Sequence, residues 1–196
     1  MLFVRHAGTP GMRAACFPAD EPPDPSGLAR ATAMAGALTV RGPAVPAEGV
    51  VGGRAWVAPS TAAVRTAVAM GLEPVPEPAL AEADHGRWRG LPYARVAEEE
   101  PEALARWLTD PHATPHGGES LAALAARVAG WLEGMRAEPA GVVVCDVGVI
   151  RAALGHALGL PPPAAARFDL APLSTTELTA TRDGWRVAHV NRKVPS

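Results

Sequence analysis

With 196 residues, 48% of them hydrophobic and 19% charged, the chain can bury a sizeable core, and its length suits one domain over residues 1–196. The 18 basic side chains nearly balance the 20 acidic ones, and a formal charge of −2 excludes the strong field expected of a nucleic-acid binder. There is no apolar run of about 18 residues to span a bilayer, and no basic start with a long apolar stretch and cleavage site, so a soluble, cytoplasmic chain without a membrane partner is expected.

Residues 1–5 form a short apolar run that stops at Arg5 and His6, the pattern of a buried strand ending in a functional loop. Cys16 follows in a Gly/Pro-rich stretch; it lies far from Cys145, which ends another apolar run, and this argues against a disulfide scaffold. Over residues 26–40, Leu28, Ala31, Met34, Ala35 and Leu38 recur at helical spacing, with Ser26 placed as a cap and Pro43 and Pro46 closing the segment. Residues 54–58 read as a second strand, after which Pro59 and Ser60 lead into an alanine-rich helix to about Met70.

Residues 80–93 are punctuated by glycine and rich in charge, which predicts a surface insertion rather than a core element. A short helix is expected over 101–108. Gly117-Gly118-Glu119-Ser120 then precedes a longer helix whose apolar face is Leu121, Leu124, Val128, Trp131, Leu132 and Met135. Residues 141–146, with Val142, Val143 and Val144, read as a fully buried strand, and 148–160 as a helix. Strands over 175–180 and 185–190 meet at Asp183-Gly184 as a hairpin. This alternation predicts an α/β fold, a three-layer sandwich with a mostly parallel central sheet and helices on both faces. Ligands of such sheets sit outside the carboxyl ends of the strands, where His6 and Asp146 both fall.

Several blocks in order carry a family likeness. They are Leu2-Phe3-Val4-Arg5-His6-Ala7, the stretch from Leu80 through Glu82 to Gly90, Pro115-His116-Gly117-Gly118-Glu119-Ser120, and Val149-Ile150-Arg151. Together they resemble the histidine phosphatase superfamily, in its phosphoglycerate mutase-like branch, over nearly the whole chain. The resemblance implies that one histidine attacks phosphorus, two arginines and a second histidine hold the phosphoryl oxygens, and an acid protonates the leaving group. It places Arg5 at the first arginine, His6 at the nucleophile and Glu82 at the proton donor. Counting back from Arg151 puts Asp146 where the second histidine belongs, and counting back from Thr66-Ala67 puts Ala62 where the second arginine belongs.

Half of the phosphate cradle is thus replaced, and an ionised Asp146 would repel a phosphate unless a nearby cation offsets it. Arg65, one helical turn beyond Ala62, and Arg87, which with Arg89 flanks the Glu82 block, are the candidate cations, and His116 is a candidate border of the pocket. Glu119 and Ser120 read as a helix start, Cys145 as a core residue, and His156 and His189 as structural. His6, Glu82 and Asp146 form an acceptable set for a divalent ion, but the spacing is long and the family's chemistry implies neither metal nor cofactor. The expected function is weak phosphomonoester hydrolysis of a small phosphorylated metabolite, by a phosphoric monoester hydrolase working through His6, with phosphate as a further ligand. The alternative is a non-catalytic relative, a pseudoenzyme, that binds a ligand or protein partner on the old active-site face. A homodimer is compatible with either.

Overall fold

In the computed structural model, which describes residues 1–35, 38, 54–139 and 141–194, β1 (Leu2–Arg5) and β4 (Val142–Cys145) lie side by side and parallel at the centre of the sheet. The described strands are ordered β3-β2-β4-β1-β5-β6. β2 (Arg54–Val57) and β3 (Glu73–Pro76) extend the parallel part, and the hairpin of β5 (Ser174–Thr181) and β6 (Gly184–Lys193) closes the other edge antiparallel to β1. All four residues of β4 are buried although successive side chains point to opposite faces, so both faces of the sheet are covered there. The covering comes from two helical groups. α2 (Pro25–Ala33) packs on α3 (Thr61–Ala69), and α6 (Leu121–Gly134), α7 (Val147–Leu158) and α8 (Pro162–Ala165) pack on one another. The expected α/β class and mostly parallel sheet are what the chain adopts.

Local chemistry sets most helix starts. Ser60 and Ser120 cap α3 and α6 by accepting the N–H of Ala63 at 3.3 Å and of Ala123 at 3.1 Å. Ser26, however, is not the cap of α2. That helix begins at Pro25 with Asp24 at the cap position, and the Asp24 carboxylate is engaged by Arg13 of α1 (Pro10–Arg13) instead of by the helix. Residues 36–37 and 39–40 of the expected helix, with Pro43 and Pro46, lie outside the described residues.

The expectation of a surface insertion over residues 80–93 is overturned. Leu80 and Trp88 are fully buried, the first in the main core and the second in a separate cluster with Phe17 and Val96. Leu104 and Trp107 of α5 (Pro101–Thr109) pack against that cluster, and Val96 comes from α4 (Tyr93–Glu99). The Trp88 indole N–H donates to Glu100 at 2.9 Å, so its one polar group is satisfied and the ring can be buried without a stranded donor. At Gly86 the backbone has a positive φ of 49°, and an added Cβ would meet the carbonyl oxygen of His116 at 2.2 Å. The glycine therefore lets the 115–119 turn pack directly on this segment.

Candidate active site

The register of the two central strands builds the site. Arg5 pairs with Cys145, and the His6 N–H donates to the Cys145 carbonyl at 3.0 Å, so the next residue on each strand, His6 and Asp146, meet above the sheet. His6 Nε2 lies 2.8 Å from Asp146 Oδ1, and His6 Nδ1 lies 2.7 Å from the Ala7 carbonyl. A carbonyl can only accept, so hydrogen bonding assigns a proton to Nδ1. Burial alone would lower the imidazole, but the charge and hydrogen bond of Asp146, with the Ala7 carbonyl, outweigh it and leave His6 above the ordinary histidine value. Burial likewise pushes Asp146 up, but the charge and hydrogen bond of His6, then Arg5 and Ser60, hold it below the ordinary aspartate value. Both shifts favour the charged pair, an imidazolium bound to a carboxylate. Ser60 Oγ donates to the second Asp146 oxygen at 3.5 Å, and Asp146 stands at the amino end of α7, where the helix dipole favours a negative charge.

Glu82 faces the same space. Its two oxygens accept the N–H groups of Ala83 and Gly148, each at 2.8 Å, the latter being a free donor in the first turn of α7. Loss of hydration, reinforced by the charge of Asp146, raises Glu82 from 4.5 to about 7 against the pull of those two donors. The acid is held from behind. Arg127 pairs with Glu119 at 2.7 Å and donates to the carbonyls of Ala79 and Ala81 at 2.9 and 3.0 Å, which fixes the chain leading into Glu82. The Gly-Gly-Glu-Ser turn therefore splints the acid-bearing segment as well as starting α6. A Cβ on Gly148 would stand 2.0 Å from Glu82 Oε1. Gly148→Ala is accordingly expected to displace the acid without deleting it, and to lower phosphomonoester hydrolysis roughly tenfold in a still-folded protein. A pH–rate profile that keeps its wild-type shape and height in this variant would rule out that placement.

A cavity of about 170 Å³ opens on this cluster, lined by Arg5, His6, Ser60, Ala62, Glu82 and Asp146 among others. A second cavity of about 380 Å³ adjoins it, sharing Pro18, Glu82, Tyr93 and Val147. Arg5 donates to the Leu170 carbonyl, and Arg151, close enough for its charge to be felt at Arg5, donates from Nε to the Phe168 carbonyl at 3.0 Å. Among the described residues, these two arginines stand at the site beside His6. Arg65 is exposed on α3 and lines neither cavity. Arg87 is exposed too, tied to Glu100 and to the Pro115 carbonyl. His116 is buried against Trp88 and Trp107, its Nδ1 accepting the Gly118 N–H at 3.0 Å, and it lines neither cavity. The offsetting cation for Asp146 is His6 itself, with Arg5 behind it, in place of the expected Arg65 or Arg87. Among the described residues no group of three or more His, Cys, Asp or Glu is arranged to hold a metal ion.

The order of the sequence blocks agrees with what whole-chain comparison gives. The profile of the histidine phosphatase superfamily (branch 1) matches residues 1–193. The chain belongs to the histidine phosphatase superfamily. Phosphoserine phosphatase 1 of Hydrogenobacter thermophilus is 43% identical over 75 residues, which is 38% of this chain and 36% of that protein, so the match reaches little more than a third of the relative's length. The solved structure of a mycobacterial glucosyl-3-phosphoglycerate phosphatase with inorganic phosphate superposes at a TM-score of 0.76 with 26% identity, over 99% of this chain and 97% of that one. A putative α-ribazole-5'-P phosphatase from Escherichia coli reaches a TM-score of 0.82 at 19% identity, over 100% and 97%, a likeness of fold.

Of this superfamily member's site, Ser60 and Gly148 escape motif reading, and Arg151, read only as the end of a family block, is not assigned to the site by it. Ser60 reaches Asp146 because β2 neighbours β4, Gly148 holds Glu82 through its backbone, and Arg151 stands beside Arg5. The available signal was position alone, since Ser60 follows a strand and Gly148 and Arg151 follow Asp146 within one helix.

Proposed function

We propose that the chain hydrolyses phosphomonoesters of small metabolites slowly, through a phosphohistidine at His6. In this reading Arg5, with Arg151 beside it, attracts the phosphoryl oxygens. The proton on His6 Nε2 passes to Asp146 or to solvent, Nε2 attacks phosphorus, and the ester oxygen leaves with the proton of Glu82. Water then attacks the phosphohistidine while the Glu82 carboxylate takes the water's proton, the P–Nε2 bond breaks, inorganic phosphate leaves, and Nε2 regains its proton from Asp146 or solvent, which restores the starting state. The single observation that carries the reading is the 2.8 Å contact between His6 Nε2 and Asp146 Oδ1. Nδ1 is committed to Ala7, which leaves Nε2 as the attacking nitrogen, and in the resting state its lone pair is occupied by the shared proton. Slow turnover follows, because each cycle must first break a buried ion pair.

A second reading, a non-catalytic binder, is favoured by Ala62 and Asp146 standing where the family's second arginine and histidine belong. A chromogenic aryl phosphate assay separates the two. Turnover below about 1 per second is expected, with an alkali-quenched phosphoryl adduct on the peptide that contains His6. Turnover well inside the usual enzyme range would overturn the slow step assigned to Asp146, and absence of both turnover and adduct would leave the binder.

A further inference from the structure

Apart from Glu82 and Arg151 in its lining, the larger cavity is not used by the chemistry just described. Its walls are α6 and α7, with α8 and Trp107 completing them, and its volume of about 380 Å³ falls within the range of small-molecule sites. We propose that it receives the leaving-group portion of the ligand, and that this portion is apolar, an aryl or branched-alkyl group and not a polyhydroxylated sugar or an amino acid. The proposal rests on the phosphomonoester reading for the anionic end only.

Two observations carry it. The first is position. Glu82 lines both cavities, so an ester whose phosphorus sits at His6 and whose bridging oxygen faces Glu82 must send its carbon skeleton into the larger space. The second is the chemistry of the wall. Trp107, Leu121, Leu124, Val147 and Leu160 supply apolar surface, while the polar side chains on the lining besides Trp107 are few, namely Glu82, His85, Tyr93, Arg151 and His156. His156 is bound to Glu133 at 2.7 Å, Arg151 Nε to Phe168, and burial next to His116 lowers His85 to about 4, so that imidazole is uncharged at neutral pH. With so few polar side chains on the wall, most hydroxyl groups of a polyhydroxylated skeleton buried here would lose water without gaining equivalent partners, whereas an aromatic ring would gain contact with Trp107 and the leucines.

The test compares 1-naphthyl phosphate with methyl phosphate in the full chain, in wild type and in two cavity-filling variants on α6, Ala125→Phe and the smaller Ala129→Leu, each checked by thermal melting. A KM for the naphthyl ester at least roughly tenfold below that for the methyl ester is expected in wild type. That ratio is expected to collapse toward one in whichever variants are folded. If neither ester turns over, calorimetric titration replaces KM with Kd. Tighter naphthyl phosphate binding that the variants abolish would then support the apolar site while hydrolysis itself fails. Equal handling of the two esters by wild type, or a naphthyl preference that survives in a folded filled variant, would overturn the proposal.

Discussion

Asp146→His combined with Ala62→Arg is expected to tighten vanadate binding by roughly 30- to 800-fold, corresponding to about 2 to 4 kcal/mol. The gain has three sources. Removing the Asp146 carboxylate takes away a negative charge that faces the phosphoryl site and frees His6 Nε2 from its 2.8 Å contact. The new imidazole restores a donor at the end of β4. Ala62 is buried in the first turn of α3 and lines the His6 cavity, so an arginine there projects into the space and not into solvent. Each charge-assisted hydrogen bond contributes about 1.5 to 3 kcal/mol, reduced by the ordering of two new side chains. The single variants are expected to fall short of half the double, because both groups would hold the same anion and therefore couple. Calorimetric titration of wild type and the three variants reads this directly, with His6→Ala as the control that loses the nucleophile. No gain in a folded double variant would mean that the pocket no longer accommodates a phosphoryl group.

The parts of this site that sequence reveals are those governed by chain direction. β1 and β4 are uninterrupted apolar runs, and their carboxyl ends announce His6 and Asp146 before any partner is known. What lies opposite a residue is not encoded in its own element. Arg65 shares a helical face with Ala62, yet that face turns outward at Arg65, and Arg87 finds Glu100 within its own surroundings instead of reaching Asp146. The burial of Trp88 was invisible for a related reason, since a segment of turns has no periodicity by which to mark an inward side. β3 escaped notice because Pro74 and Pro76 remove ladder donors, a pattern tolerated only at the edge of the sheet, where β3 lies.

Glu82→Gln is expected to flatten the pH dependence of stability, leaving the variant ahead of wild type by roughly 2 kcal/mol at pH 8, near parity at pH 5 and about 1 kcal/mol behind well below it. Glu82 is raised from 4.5 to about 7 in the folded chain. Between those values the folded state keeps a proton that the unfolded state has released, so the folded state binds more protons and wild-type stability falls as pH rises, the loss being complete once pH passes the folded value. The gap corresponds to about 3 kcal/mol. Glutamine carries no charge at any of these pH values and escapes that loss, but it offers one acceptor where the carboxylate offers two to the N–H groups of Ala83 and Gly148, which costs about 1 kcal/mol. The His6–Asp146 pair has its own dependence. With His6 raised and Asp146 lowered, it stabilises between their ordinary values of 6.5 and 3.8 and is lost above the first and below the second as each folded group titrates. That contribution is present in both proteins and changes only through its coupling to the Glu82 charge, so the difference between their denaturant-unfolding curves, taken from pH 4.5 to 8, reports Glu82 together with that coupling. Parallel curves would mean that Glu82 ionises as an ordinary carboxylate, in which case it could not hold a leaving-group proton at neutral pH. A converging difference ties stability to the proposed mechanism, in which the proton that steadies the folded chain below pH 7 is the one the ester oxygen takes when it departs.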